Sequence, residues 1–146
     1  MIRAAALALG LAGLPAAAGA EPPAPGVYGN VELSAETGDL GGVELELIGT
    51  GADARVELVI CEGWCNAVLE APARTSGDDI FIEYSEDLYD EDGAVSETRR
   101  YEALATPIED GISLTVVPQD PAADPWTYFL PRIPERFGLA VAAAED

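Results

Sequence analysis

Two cysteines, Cys61 and Cys65, have the most specific chemistry in this 146-residue chain. They lie on either side of Glu62-Gly63-Trp64, and a hairpin tip that contains a glycine can bring two such side chains within bonding distance. In an exported chain a cysteine pair is more often a disulfide than a metal site, and this spacing is not the C-x-x-C of redox motifs. The sequence therefore predicts a Cys61–Cys65 disulfide that stabilises the turn and holds Trp64 and Glu62 in one shape. The functional alternative is that these two residues are contacts for a partner or a sugar.

An acidic stretch near residue 90 has part of the spacing of a calcium-binding loop. If Gly93 takes the sixth position of an EF-hand loop, Asp90 and Asp92 fall at positions three and five, where ligands are needed. Leu88 and Arg99 then fall at positions one and twelve, which also require carboxylates. We therefore predict a solvated acidic loop and no metal site, with Asp90 and Asp92 as the only calcium candidates. No cofactor is expected.

Arg99 and Arg100 are adjacent in a predicted strand, so they point to opposite faces of it. One of them would then lie inside a barrel, where it needs an acidic partner. With Tyr84 and Tyr101 nearby, such an arginine would suit a small polar or anionic ligand, and these four residues are the ligand-cavity candidates. Alternatively, a bulge or a strand end leaves both arginines in solvent. The acidic residues that could pair with an inward arginine are Glu83 and Glu102.

The composition excludes several classes of enzyme. The chain has no histidine and no lysine, which removes histidine-based triads, the usual zinc, haem and copper ligand sets, and Schiff-base chemistry. An enzyme would have to work with carboxylates, tyrosines, serines and a few arginines. No pair of carboxylates can be singled out among so many for glycoside hydrolysis, so no catalytic residue is assigned.

The first 20 residues have the pattern of a secretory signal peptide. Arg3 supplies the positive charge, a short apolar run follows, and Ala18-Gly19-Ala20 provides a cleavage site. The apolar run is shorter than the roughly 20 residues of a membrane-spanning helix. We therefore expect a periplasmic or secreted protein cleaved after Ala20. A Pro-rich leader over 21–25 follows, predicted to be mobile.

The charge limits the kinds of partner. The chain carries 27 acidic and 7 basic residues, and loss of Arg3 with the signal leaves 6 arginines and a formal net charge of −21. Such a charge repels nucleic acids and anionic lipid surfaces, whereas it attracts cationic partners. The charge alone also serves solubility, so it does not by itself demonstrate a partner.

Apolar and polar residues alternate through most of the chain, which predicts short β-strands. The runs are separated by Gly, Asp and Pro turns, and every connection is short enough for antiparallel neighbours. The predicted strands are 26–33, 43–47, 55–60, 66–71, 80–84, 97–105, 112–116 and 126–130. Pro72 is expected to end the fourth strand, and 85–94 is expected to be a loop. Residues 132–146 would be a tail or a short helix.

This pattern predicts an all-β fold over residues 26–131, an antiparallel up-and-down meander of about eight strands closing into a small barrel. A two-sheet sandwich is the second choice. Gly26-Val27-Tyr28 at the start of the first strand resembles the Gly-x-Trp signature of lipocalin- and avidin-type barrels, with Tyr28 in the place of the tryptophan. The resemblance implies a barrel that binds a ligand or a partner, and it implies no specific binding residue.

Three functions follow, in order of preference. The first is an exported, non-enzymatic barrel that binds a cationic protein or peptide, such as a lysozyme-type hydrolase. The second is a carrier of a small molecule in the barrel cavity, and the third is a hydrolase that uses carboxylates alone. The residues expected to line a carrier cavity are Val43, Leu45, Val56, Leu58, Ile112 and Leu114. The oligomeric state is not predicted.

Overall fold

The computed structural model describes residues 21–144, so the predicted signal peptide lies outside the described residues and stays a prediction. The strands are β1 (Gly26–Gly29), β2 (Glu32–Leu33), β3 (Leu40–Ile48), β4 (Arg55–Cys65), β5 (Leu69–Ser76), β6 (Asp79–Tyr89), β7 (Val95–Ile108), β8 (Gly111–Pro118) and β9 (Trp126–Ile133). A single 3₁₀ turn (Gly51–Asp53) precedes β4, and a short helix α1 (Gly138–Ala142) follows β9. Within 21–144, no helix has the length and hydropathy needed to cross a bilayer.

Eight of these strands form a closed antiparallel barrel. From β3 to β9 each strand pairs with the next one along the chain, and β1 closes the ring by pairing with both β9 and β3. The seam between β1 and β9 consists of two residue pairs, Val27–Ile133 and Tyr28–Arg132. β2 pairs with β3 alone and lies outside the ring. The predicted all-β meander and its closure into a barrel are confirmed.

The barrel interior is a packed apolar core. Inward-facing side chains alternate along every strand of the ring, as expected for a sheet with one buried face. The six residues expected to line a carrier cavity are all buried there, as parts of one apolar cluster. The space left between their neighbours Tyr28, Leu47 and Ile82 is about 10 Å³, less than a bound small molecule needs.

The first strand, β1, directs an aromatic side chain into the core. Tyr28 points into the core, whereas Val27 and Gly29 lie on the outer face. Gly29 is required there because a Cβ atom would come within 2.9 Å of the Glu44 side chain. The predicted strand 26–33 is also interrupted at Asn30, whose side chain accepts a hydrogen bond from Val43 N (2.8 Å).

Two strand boundaries differ from the prediction. β4 continues through the cysteines to Cys65, so the hairpin turn is at 66–68. β5 continues past Pro72 to Ser76. Pro72 is tolerated because it lies where β5 changes partner: residues up to Pro72 pair with β4, and residues from Ala73 pair with β6. A proline without an N–H is acceptable in a strand where no ladder bond is required of it.

The two ends of the barrel differ. At one end, Pro23 of the leader is buried against the core, Tyr28 donates a hydrogen bond to Ala24 O (2.6 Å), and Arg132 donates one to Pro25 O (2.8 Å). The Arg132 guanidinium also lies over the Tyr28 ring. The leader therefore caps this end of the barrel, where it was expected to be mobile. The opposite end has the turn 66–68, the β6–β7 turn and the β8–β9 loop.

The C-terminal segment 134–144 packs on the outside of the barrel and contains the short helix that was one of the two predicted alternatives. Leu139 and Ala142 are buried against β3 and β4, in a second apolar cluster with Leu40, Val59 and the cysteines. Glu44, fully buried on the outer face of β3, accepts hydrogen bonds from the backbone N–H groups of residues 137, 138 and 139 at 3.0–3.2 Å. A buried carboxylate needs such donors, so Glu44 fixes where the helix begins.

Candidate functional site

The hairpin of β6 and β7 extends beyond the barrel. β6 pairs with β5 only as far as Ile82, and β7 pairs with β8 only from Tyr101 onwards. Residues 85–100, which we call the arm, therefore pair only with each other. None of them is buried, although residues 85–89 and 95–100 are strand residues, with a register shift between Leu88 and Tyr89. The region expected to be a loop over 85–94 is thus mostly strand, with a turn at 90–94.

The arm is strongly acidic. Between residues 86 and 97 it carries six carboxylates and no basic residue. At its base, Arg99 donates two hydrogen bonds to Glu97 (3.0 and 3.3 Å). The remaining carboxylates have no ion pair within the described part of the chain. The unpaired acidic residues are Glu86, Asp87, Asp90, Glu91 and Asp92.

A groove of about 430 Å³ separates the arm from the turn that follows β4. One wall is the β6 side of the arm, residues 85–89, and the other is formed by Ile60, Asn66, Ala67 and Leu69. β5 pairs with β4 over residues 69–72 and with β6 over residues 73–76. At the arm end, β4 and β6 therefore lie apart, and the groove is the space between them. We call it the arm groove. It combines apolar side chains with the Glu86 and Asp87 carboxylates, so it suits a segment with both apolar and basic groups.

The predicted disulfide between Cys61 and Cys65 is confirmed. Both cysteines are buried beneath α1, and Gly63 takes a positive φ of 89° between them, which favours glycine. Trp64 is 50% exposed and Glu62 is exposed. The disulfide loop lies at the arm end, since Asn66 just after it lines the arm groove. Trp64 and Glu62 as partner contacts stay a prediction.

Neither arginine of the predicted ligand cavity lies inside the barrel. Arg99 and Arg100 are both exposed on the arm, and Arg99 pairs with Glu97 rather than with the two glutamates expected from the sequence. The physical reason is that the hairpin has left the barrel before residue 100, as in the solvent-exposed alternative. Both arginines line a second groove of about 510 Å³, between β7 and the β8–β9 loop, with Tyr101 and Trp126.

The two tyrosines of that prediction close the core at the arm end. Tyr84 and Tyr101 are buried and opposite each other on β6 and β7, with ring centroids 5.0 Å apart and stacked. Trp126 packs edge-on against Tyr101 at 6.0 Å. Burial raises the pKa of Tyr84 well above its usual range, and neighbouring Tyr101 adds to this. Burial is also the main cause of the raised pKa of Tyr101.

The two calcium candidates act within the arm turn. Asp90 Oδ1 accepts hydrogen bonds from the backbone N–H groups of Asp92 (3.0 Å) and Ala94 (2.8 Å). This is an Asx turn, which stabilises the tip of a hairpin. Among residues 21–144, no group of three or more metal-ligating side chains is found. Asp90 thus has an evident structural role.

The second wall of the arm groove could not be predicted from the sequence. Ile60 and Leu69 were assigned to strands with no site attached, because their convergence depends on the partner change of β5 at Pro72. Glu44 lies on the outer face of β3, and its burial there depends on a helix about 90 residues later in the chain. A proline inside a strand-like run was the one available signal of an irregular barrel wall.

The chain matches no protein-family model, no curated protein and no solved structure.

Proposed function

We propose that this protein is an exported binding protein, not an enzyme, that engages a cationic protein or peptide through the arm end of the barrel. The observation that carries the proposal is the acidic arm beside an apolar groove. Five unpaired carboxylates project from the barrel on a two-stranded support. Long-range attraction by such a surface speeds the encounter with a basic partner, and apolar contacts then hold it.

The disulfide loop belongs to the same proposed surface. Trp64 is a large aromatic side chain, half exposed on a covalently closed loop. Rigid aromatic residues contribute strongly to binding because they lose little conformational freedom when a partner covers them. Glu62 on the same loop adds a carboxylate. Together they suit the outer part of an interface centred on the arm groove.

The small-molecule carrier receives less support. Kinship with the lipocalin or avidin type is a proposal that rests on Gly26-Val27-Tyr28 and on the barrel itself, and such a kinship would place a ligand in the interior. Here the cavity between the core residues Tyr28, Leu47 and Ile82 has about 10 Å³ of space. The function is therefore better assigned to the outside of the barrel.

The proposal is tested by calorimetry against a panel of small basic proteins that includes lysozyme-type hydrolases. The variant Glu86→Gln/Asp87→Asn/Glu91→Gln removes three charges from the arm. Because exposed charge pairs contribute up to about 1 kcal/mol each, we expect it to weaken binding about tenfold or more. Affinity should also fall between about 0.01 M and about 0.15 M salt, where the Debye length shortens from about 30 to about 8 Å.

The matched control is Asp53→Asn/Asp78→Asn/Glu109→Gln. It changes the net charge by the same amount, but these exposed carboxylates lie at the opposite end of the barrel. We expect its affinity to stay close to that of the unaltered protein. Equal weakening by both variants would show that only the overall charge matters, and absence of binding to every basic protein at low salt would refute the proposal.

A further inference from the structure

We infer that the partner binds as an extended chain, adding a strand to the free edge of β6 over residues 83–89. The inference rests on the proposed function and specifies its partner class: a basic segment in β conformation. It is carried by the strand edge, the shape of the arm groove, and the charges along the edge.

The edge of β6 is available for pairing. On the side away from β7, β6 pairs with β5 through Ile82, and no described strand continues the ladder over 83–89. In an antiparallel ribbon, alternate residues direct their N–H and C=O groups away from the partner strand. An extended chain can satisfy these groups, and strand addition of this kind is a common mode of peptide recognition.

The arm groove runs along this edge. Residues 85–89 are consecutive along its wall, so the wall is a strand edge and not a scattered set of side chains. The facing wall provides apolar contacts from Ile60, Ala67 and Leu69. A strand seated between the two walls would place alternate side chains on either face of the new ladder. A strand bound in the groove would therefore continue, along the arm, the pairing that β5 provides for residues 79–82 of β6.

The charges select which chain can pair. A free edge is a template for self-association, and proteins oppose this with charged side chains. Glu86 and Asp87 lie on the edge itself, and the overall charge of a second copy would repel it further. A basic segment meets the opposite situation, since the same carboxylates attract it. The acidic edge thus rejects a second copy and accepts a cationic strand.

The other edge of the arm is less suitable. Where β7 leaves the barrel, Gln119 N donates a hydrogen bond to Arg100 O (3.0 Å), so the β8–β9 loop already occupies the start of that edge. Arg99 and Arg100 also lie there and would repel a basic segment. On the β6 edge no loop contact of this kind is found for the described residues 83–89, and Arg74, which lies near the start of that edge, is already paired with Glu83.

The test uses two short peptides of alternating lysine and valine, one unmodified and one N-methylated at every residue. The two carry the same charge, but the methylated peptide has no backbone amide N–H groups and cannot donate the hydrogen bonds of a ladder. We expect the unmodified peptide to bind at least tenfold more tightly. Hydrogen exchange on the complex should show new protection of amides in 83–89, while amides in 95–100 serve as the internal control and stay unchanged.

The outcomes separate the two proposals. Equal binding of both peptides, with no new protection over 83–89, would overturn strand addition but leave a charge-driven cationic partner in place. Protection over 95–100 in place of 83–89 would overturn the assignment of the edge. If neither peptide binds at low salt, strand addition fails, and binding of the basic proteins then decides the proposed function separately.

Discussion

Glu44 shows how a single residue can decide where a distant segment packs. Its carboxylate is fully buried, yet three backbone N–H groups from the start of the C-terminal helix surround it. The carboxylate satisfies donors that a helix leaves unpaired at its beginning. In return, the donors make burial of the charge tolerable.

Replacing Glu44 with alanine should destabilise the fold by about 3 kcal/mol, because two buried N–H donors and one partly buried donor lose their acceptor. Glu44→Gln keeps one acceptor oxygen and should cost about half as much. Urea denaturation measures both values. The control Glu32→Ala removes an exposed glutamate of β2 and should change stability by less than about 0.5 kcal/mol. A Glu44→Ala value as small as the control would contradict the role assigned to the carboxylate.

The buried tyrosines make the stability of the folded protein decrease at alkaline pH. Because burial raises the pKa of Tyr84, the folded state keeps the phenol protonated where the unfolded chain, with a tyrosine pKa of about 10, already loses the proton. The contribution of the protonated Tyr84 phenol to the free energy of unfolding is fully present below about pH 10, and it is lost as the pH rises above that value. Tyr84→Phe should therefore lose less stability than the unaltered protein between pH 8 and about pH 11. Tyr89→Phe, at an exposed tyrosine of the arm, is the control, and parallel curves for all three proteins would refute the prediction.

At the scale of elements, α1 depends on a close approach to β4. A Cβ atom at Gly138 would lie 2.9 Å from Val31 Cγ2 and 3.2 Å from Val59 Cγ1. The helix is too short to be stable alone, so its packing decides whether it forms. The cysteines lie directly beneath it, which links the helix to the base of the disulfide loop.

Gly138→Val should therefore destabilise the protein by about 1–3 kcal/mol through overpacking. It should also increase the binding of a hydrophobic dye, since the apolar cluster around Val59 would be uncovered. Ala140→Val makes a similar change at an exposed position of the same helix and should have little effect. Equal losses in both variants would indicate helix propensity as the cause instead of packing.

For the whole molecule, the dominant feature is its excess of negative charge. Self-repulsion among 27 carboxylates opposes the compact state, and dissolved ions screen it. We expect sodium chloride to raise the melting temperature by several degrees between about 0.01 M and about 0.15 M. The rise should be smaller for Glu86→Gln/Asp87→Asn/Glu91→Gln. A melting temperature independent of salt would show that repulsion contributes little to stability.

The fold could be predicted from the sequence where the information is local. Alternation along 43–47 and 112–116, with short connections, was enough to give the strands and the barrel. The disulfide also followed from spacing. Features that depend on distant neighbours were not predictable: the burial of Glu44, the inward facing of Tyr28 and the partner change at Pro72 each depend on segments far along the chain. For the same reason the acidic residues of the arm were recognised, but their extension on strands and the opposite wall of the groove were not.

The two-pair seam between β1 and β9 has a consequence for assembly. The ring can close only when its earliest and latest strands meet, and the pair Tyr28–Arg132 in this seam joins residues 104 positions apart in the chain. Long sequence separations of this kind slow folding. Until the barrel closes, β1 and β9 expose unpaired backbone groups to which other chains can bind. We therefore expect the refolding yield to fall as the protein concentration rises, even under conditions in which the closed barrel is stable.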